Sequence, residues 1–484
     1  MKKHQLFIFL IIFFTFLLRI PSLFEPTFYG DECIYLSLGQ AFNKGMVFYK
    51  RIFDHKPPLI YLTTALAGGK LVFFRAIAII WNLINVYLIY LSTNLLVKKN
   101  KKTAGLLAAF LFALFSYLPE GRFANGEIFM IMPATLGLFL ALKSIQKKAA
   151  NLWIGVGLSY SLAFLYKPPI ALDFAGLCLA FFIYNKRSFK DFFKIFKSKK
   201  LYLLLIGFFV PIIISIIYYW SQGAATPYIR SALLQNIGYI SSWDGGGGGS
   251  GLVNRGVILL ISLVVVYFLK NKLGFNFYLI LLMSLMGGFG VFLSERPYPH
   301  YLIQVAPWTA ILLTQVVFSP KFFKIITTLG FLLLMAAGVI KFNFWWYPII
   351  PYYKNFYNYL TQQKTRQEYF NYFDSETTTE YQLAAYIQQQ TQYKDNIFAW
   401  SNSSSCIYAL SDRTPPCRYV TDFHITDFRG KKETIMAIKN NPPKLIVIDA
   451  KEHREFNEFT DFLEQNYRPS KRFENFQIYK LKNE

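Results

Sequence analysis

Charge is scarce in this chain, and acid is scarcer than base. Only 16% of the 484 residues are Asp, Glu, Lys or Arg, against about 25% in an ordinary soluble protein. The 27 acids face 51 basic residues, a formal net charge of +24. Such an excess would ordinarily raise nucleic-acid binding. Here it is broken into short blocks between apolar runs, so anchoring and orientation at a membrane account for it. No Gly-rich phosphate loop occurs in the water-soluble part, which argues against a nucleotide-binding domain. Internal repeats are absent, and the apolar runs are nearly free of ionisable residues, Asp173 being the main exception. A transporter or flippase calls for both features.

What fills the chain is hydrophobic: 54% apolar and 19% aromatic. Apolar segments run near 6–20, 76–97, 103–119, 128–143, 151–166, 168–184, 201–220, 256–270, 275–294, 300–318 and 324–345. Runs of about 17–22 residues match the thickness of a bilayer, so the fold class is a polytopic α-helical membrane protein. A twelfth candidate, Leu59–Phe74, is short, follows Pro57-Pro58 and contains Gly68, Gly69 and Lys70. With it outside the membrane, the blocks at Lys2-Lys3, Lys98 to Lys102, Lys143 to Lys148, Lys186 to Lys200, Lys270 to Lys272 and Lys321 to Lys324 fall on one side, as the positive-inside bias requires. The expectation is about 11 transmembrane helices in the plasma membrane, a cytoplasmic N-terminus, an outer C-terminus, and Leu59–Phe74 as a helix on the outer surface. The first span resembles a signal peptide, but Arg19, Pro21 and Glu25 stand where a small-residue cleavage site would be, so it reads as a retained anchor.

The expected division is a transmembrane domain over 1–346, a membrane-surface linker over 347–372 and a soluble extracytoplasmic α/β domain over 373–484. Within the first, 21–75 forms an outer loop with surface helices and 221–254 a longer outer loop. The latter ends in Gly245 to Gly249, Ser250 and Gly251; five consecutive glycines resist a fixed conformation, which suits a mobile lid or a plain connector. In the soluble part, Glu376–Thr391 and segments near 431–439 and 452–466 read as helices. Asn396–Trp400, Cys417–Phe423 and Lys444–Asp449 read as strands, and Phe473–Leu481 as an edge strand. Cys406 and Cys417 could pair in an oxidising compartment or remain free thiols; Cys33 and Cys178 have no evident partner.

The first outer loop carries the densest chemistry: Tyr29-Gly30-Asp31-Glu32, then Tyr35, then Phe53-Asp54-His55-Lys56-Pro57-Pro58-Leu59. Ionisable groups interleaved with aromatic residues at a membrane face mark a functional pocket; a solvated loop with an acidic cap and a helix-starting proline pair is the plain alternative. The second outer loop adds Glu120, Arg122, Asn125 and Glu127, a third turn Lys167, and a fifth turn Ser294 to Tyr301.

In that order, the Asp-Glu pair with Tyr35 after it, His-Lys-Pro-Pro-Leu, Arg75 at the mouth of the second span, an outer Asn-x-Glu and a His-Tyr turn resemble the C-type glycosyltransferases. The resemblance is to the superfamily of protein O-mannosyltransferases and aminoarabinose transferases, including the bacterial dolichyl-phosphate-mannose-protein mannosyltransferase-like family, over about residues 5–345. It implies transfer of a sugar from a polyprenyl-phosphate donor to a lipid, glycan or protein hydroxyl outside the membrane, with inversion. Membrane lipids are further partners and nucleic acid is not one. Asp31 and Glu32 are then the catalytic carboxylates, and Asp31 acts as general base or metal ligand. Lys56, Arg75 and Arg296 are cations for the lipid phosphate, with His300 and Tyr301 as hydrogen-bond donors. Tyr35, His55, Glu127 and Lys167 line the acceptor or substrate pocket. A divalent cation, magnesium or manganese, would sit at Asp31 and Glu127. Arg75 and Lys167 as snorkelling residues, and His300 as a packing histidine, are the plain alternatives.

Two other functions use similar hardware. A polysaccharide polymerase or ligase takes the same lipid-linked substrates but centres on a large outer loop with Arg and His. A lipid-linked glycan flippase needs charge at mid-membrane, which the spans lack.

Overall fold

The computed structural model describes residues 3–184, 194–235, 250–452 and 454–482. Each apolar segment of the sequence contains a helix. Among the described residues, six stretches are long and apolar enough to cross a membrane: Lys3–Leu23, Leu71–Leu96, Gly126–Lys147, Lys199–Ser221, Gly251–Leu273 and Phe322–Lys341. Shorter apolar helices span Leu152–Tyr166, Ile170–Ile183, Phe275–Val291 and Ala306–Phe318, and Lys101–Phe115 forms another. The chain is a multi-pass membrane protein.

Two compact units divide the chain. One comprises Met1–Ile20, Ile77–Tyr218 and Leu233–Tyr347; the other comprises Pro21–Ala76, Tyr219–Ala232 and Pro348–Glu484. Residues 21–75, expected as the first outer loop, fall in the same unit as the C-terminal domain. In the membrane unit, Gly126–Lys147 packs on Leu152–Tyr166, Ile170–Ile183 on Phe275–Val291, and Lys101–Phe115 on both Lys3–Arg19 and Ala306–Phe318. Of the expected 221–254 loop, Ala225–Tyr228 and Ile229–Leu234 are helical and a long helix starts at Ser250. The glycine run at 245–249 lies outside the described residues.

The second unit is built around a four-stranded sheet in the order β1-β2-β4-β3, with β1 Ile397–Trp400, β2 Leu445–Asp449, β3 Tyr467–Phe473 and β4 Phe476–Leu481. β1 and β2 run parallel, so a crossover must join them; helices Ser404–Ser411, Asp422–Asp427 and Lys431–Asn440 supply it. β4 pairs antiparallel with both β2 and β3. The final strand is therefore interior, and β3 takes the edge beside it, its sequence Tyr-Arg-Pro-Ser-Lys-Arg-Phe carrying the charges and proline that suit an edge. Segment 417–423 is not a strand of this sheet. Its Tyr419 makes a single parallel bridge with Phe53, whose N–H donates to the Arg418 carbonyl at 2.8 Å, and a helix begins at Asp422.

Leu59–Phe74 is not one surface helix. Helix Leu59–Leu66 stops before Gly68 and Gly69, which hold φ of +64° and +66°, a backbone that side chains oppose. The next helix already starts at Leu71. Helix Gly30–Asn43 lies against Leu59–Leu66 through Gly39, where a Cβ would stand 2.8 Å from the Ala65 nitrogen. Cysteine pairing also departs from expectation: Cys33 bonds to Cys406, while Cys417 is free and buried. Ser37 Oγ to the Ser405 carbonyl (3.0 Å), Gln40 Nε2 to the Ala409 carbonyl (2.9 Å) and Lys44 Nζ to Asp412 Oδ1 (2.9 Å) run beside that bond. The loop helix and helix Ser404–Ser411 thus form one packed layer.

Candidate functional site

Asp31 and Glu32 open the helix Gly30–Asn43, where its dipole favours negative charge. Adjacent residues on a helix point in different directions, and the two carboxylates have different surroundings. Glu32 is buried against Arg75: Nε donates to Oε1 at 2.8 Å and Nη2 to Oε2 at 2.6 Å. Arg75 Nη1 donates to the Ser22 carbonyl at 2.5 Å and lies 3.3 Å from Glu25 Oε2. Glu25 in turn accepts from the Tyr352 hydroxyl at 2.5 Å. The guanidinium is engaged inside the protein, with Glu32 as its bidentate counter-ion. Arg75 also sits inside the helix that starts at Leu71, rather than at its mouth.

Asp31 stays accessible, with 30% of its side chain exposed. Its Oδ2 accepts from the Tyr35 hydroxyl at 3.1 Å, and its Oδ1 lies 3.7 Å from Lys56 Nζ. Lys56 lies 3.5 Å from Asp54 Oδ2 and 5.1 Å from the centre of the Tyr35 ring. One ammonium is therefore shared by two carboxylates. The Lys56 N–H meets the Tyr61 hydroxyl at 3.1 Å and its carbonyl accepts from the Tyr49 hydroxyl at 2.8 Å, which fixes the turn before Pro57-Pro58.

Asp54 is fully buried. Its Oδ2 accepts from the Tyr61 hydroxyl at 2.7 Å, and its Oδ1 accepts the His55 N–H at 2.8 Å. His55 Nδ1 lies 2.9 Å and His424 Nε2 3.7 Å from the same Oδ1. Burial pushes the Asp54 carboxyl up, but Lys56, His55 and His424 together hold it well below the usual carboxylate range. Burial drives the His424 imidazole down to about 3, against the pull of Asp54. Among the described residues, Asp54, His55 and His424 form the one cluster of three possible metal donors.

In the membrane unit, Glu127 opens helix Gly126–Lys147 and is buried in an ion pair with Lys167. Lys167 Nζ lies 4.4 Å from the centre of the Tyr301 ring. His300 Nδ1 is 2.6 Å from Glu120 Oε2, and its Nε2 is 4.0 Å from Glu127 Oε1. Glu120 Oε1 accepts from Trp345 Nε1 at 3.1 Å, and Glu120 adopts a left-handed φ of +59°, a conformation found at strained, over-determined positions. Expected residues Glu127, Lys167, His300 and Tyr301 are thus brought together, and Arg296 lies four residues before His300 in the partly buried turn. Asp31 and Glu127, the expected metal pair, belong to different units, Asp31 lying 3.7 Å from Lys56 and Glu127 paired with Lys167.

Residue types alone did not single out Glu120, Asp54, Tyr61, Glu25 or His424 for a role. Asp54 had the best signal, standing beside His55-Lys56. His424 had none, being 370 positions from its neighbours in space.

Residues 56–220 match the sequence profile of the dolichyl-phosphate-mannose-protein mannosyltransferase family. Residues 377–482 match that of the competence-induced protein Ccs4 C-terminal domain. No curated protein matches the chain in sequence. Among solved structures, the chain is similar to ArnT from Cupriavidus metallidurans bound to undecaprenyl phosphate, with a TM-score of 0.58, 11% identity and 97% of each chain covered. It is also similar to the oligosaccharyltransferase of Archaeoglobus fulgidus in the apo form, with a TM-score of 0.50 and 13% identity over 93% of this chain and 70% of that one. At such identities the likeness is one of fold.

Proposed function

Starting from a chain of the C-type glycosyltransferase fold whose residues 56–220 carry the mannosyltransferase profile, we propose that it moves a sugar from a polyprenyl-phosphate donor to an acceptor hydroxyl on the outer face of the membrane. The observation that carries this reading is the accessible Asp31 carboxylate 3.7 Å from the Lys56 ammonium, a base and a phosphate-binding cation side by side. The acceptor oxygen attacks the anomeric carbon as Asp31 takes its proton. The bond from that carbon to the phosphate oxygen breaks, and its electron pair leaves with the lipid phosphate. Lys56 offsets the charge that develops there. Displacement from the opposite face inverts the anomeric centre. Tyr35, bonded to Asp31, orients the base.

Within the membrane unit, Lys167 is paired with Glu127 and His300 with Glu120. A lipid-linked donor suits a site outside the cell, where sugar nucleotides are absent. The acceptor class is a lipid, glycan or protein hydroxyl. The test is to incubate the purified protein with a panel of polyprenyl-phosphate sugars and measure release of polyprenyl phosphate. Release with one sugar, dependent on an added acceptor, is expected; no release across the panel would overturn the reading.

A further inference from the structure

We infer that Asp54, His55 and His424 form a binding site for one divalent cation of the zinc class, held jointly by the first outer loop and the C-terminal domain. The three donor atoms lie within 4.8 Å of one another. Tetrahedral coordination with metal–ligand bonds of about 2.0–2.2 Å separates donors by about 3.3–3.6 Å, so shifts of about an ångström in the side chains suffice. Asp54 presents its two oxygens differently. Oδ2 is taken by the Tyr61 hydroxyl at 2.7 Å and faces Lys56 at 3.5 Å. Oδ1 accepts the His55 N–H and turns its remaining lone pair toward both imidazoles, 2.9 Å from His55 Nδ1 and 3.7 Å from His424 Nε2. The lysine charge therefore lies on the far side of the carboxylate from the cation position.

The histidines are held in place. His424 is buried, and its ring stands edge-on to Phe53 at 5.5 Å and to Phe423 at 4.5 Å, with Phe428 at 5.2 Å. The His55 and His424 rings are 5.7 Å apart and nearly perpendicular, so two nitrogens converge without stacking. Two imidazoles and one carboxylate suit zinc or cobalt, whereas magnesium and calcium favour all-oxygen sets. Three protein donors leave a fourth position for water or a substrate oxygen. This donor set shares no residue with the Asp31–Glu127 pair suggested by sequence, and it takes a different class of metal.

The site is tested by binding, independently of any transfer activity. The full chain in detergent, with any affinity tag removed, is stripped with a chelator and titrated with Zn²⁺ by calorimetry and with Co²⁺ by visible absorption. One equivalent should bind, with the intense absorption of four-coordinate cobalt, bleached by added zinc. His424→Ala and His55→Ala should each lower affinity at least about tenfold to a hundredfold, with the Cys33–Cys406 bond intact by peptide mapping under non-reducing conditions. His55 is only partly buried, so its variant reports on the site even if His424→Ala loosens the domain. Absence of stoichiometric binding to the wild type, or unchanged affinity in both variants, would reduce the cluster to packing and overturn the proposal.

Discussion

Arg75 meets Glu32 in two parallel hydrogen bonds of 2.8 and 2.6 Å, with 1% of either side chain exposed. The pair ties the start of a membrane helix to the start of the helix that presents Asp31. Removing one partner of a buried pair strands the other charge, at a cost of about 3–5 kcal/mol. Arg75→Ala should lower the unfolding temperature and yield in proportion, while any folded fraction keeps its affinity for lipid phosphate. Arg75→Lys should rescue poorly, because a lysine cannot reproduce the two-pronged grip. A well-folded Arg75→Ala protein that has lost only lipid-phosphate binding would return Arg75 to the substrate site.

Asp31 carries the opposite expectation. Asp31→Asn keeps the Tyr35 contact and the shape of the helix turn, so the melting curve should barely move. Transfer should fall by about two to four orders of magnitude, as loss of a general base implies. Activity within a few-fold of wild type would exclude Asp31 from proton transfer.

Lys56→Ala should weaken binding of bare polyprenyl phosphate roughly ten- to a hundredfold, equivalent to about 1.5–3 kcal/mol for a charge-assisted bond. Lys56→Arg should restore part of it. Binding is read by competition against a labelled donor, alongside a melting curve because Lys56 also neutralises buried Asp54. Unchanged competition in Lys56→Ala would leave the ammonium a structural counter-ion.

Stability should depend on pH through Glu380, which is buried at the start of helix Thr377–Gln390. Burial pushes its carboxyl up to about 8, opposed by a hydrogen bond with Ser403 and reinforced by Asp374, Glu376 and Asp449. A carboxyl of ordinary pKa 4.5 in the unfolded chain binds fewer protons than the folded one between pH 4.5 and 8. Stability contributed here therefore falls as pH rises through that window. Glu380→Gln should be nearly neutral at pH 5 and stabilising by a few kcal/mol, on the order of 2–4, at pH 8.5. Equal melting shifts at both pH values would contradict this.

Orientation is tested by labelling. In a background with Cys178 and Cys417 replaced, Lys99→Cys should resist a membrane-impermeant thiol reagent in intact cells and Lys432→Cys should react. Both positions are exposed on the protein, so a reversed pattern would invert the topology.

The sequence made the spans legible because length and apolar content alone determine what a bilayer accepts. Helix Thr377–Gln390 and strands β1 and β2 fell within a residue of their expected limits for a similar local reason, periodicity between turn residues. Asp31 and Lys56 were legible as parts of short motifs. The Arg75–Glu32 pair was not, because its members are 43 residues apart and each alone looks like a surface charge. Cys417 was nearer in sequence to Cys406, yet Cys33 is its partner, since the layer of two helices decides the pairing. Segment 417–423 has the composition of a strand but gives its one bridge to Phe53. In each case the deciding contact was made by residues brought together from far along the chain.

The Cys33–Cys406 bond has a consequence for biosynthesis. Its halves are 373 residues apart, so at about 5–20 residues per second the second thiol is made roughly 20–75 seconds after the first. For most of that interval the segment bearing Asp31 exists without the layer that later holds it. The covalent closure of the unit is thus among the last events of its assembly. A chain terminated early would leave Cys33 reduced, and the alkylation state of that thiol separates finished molecules from unfinished ones.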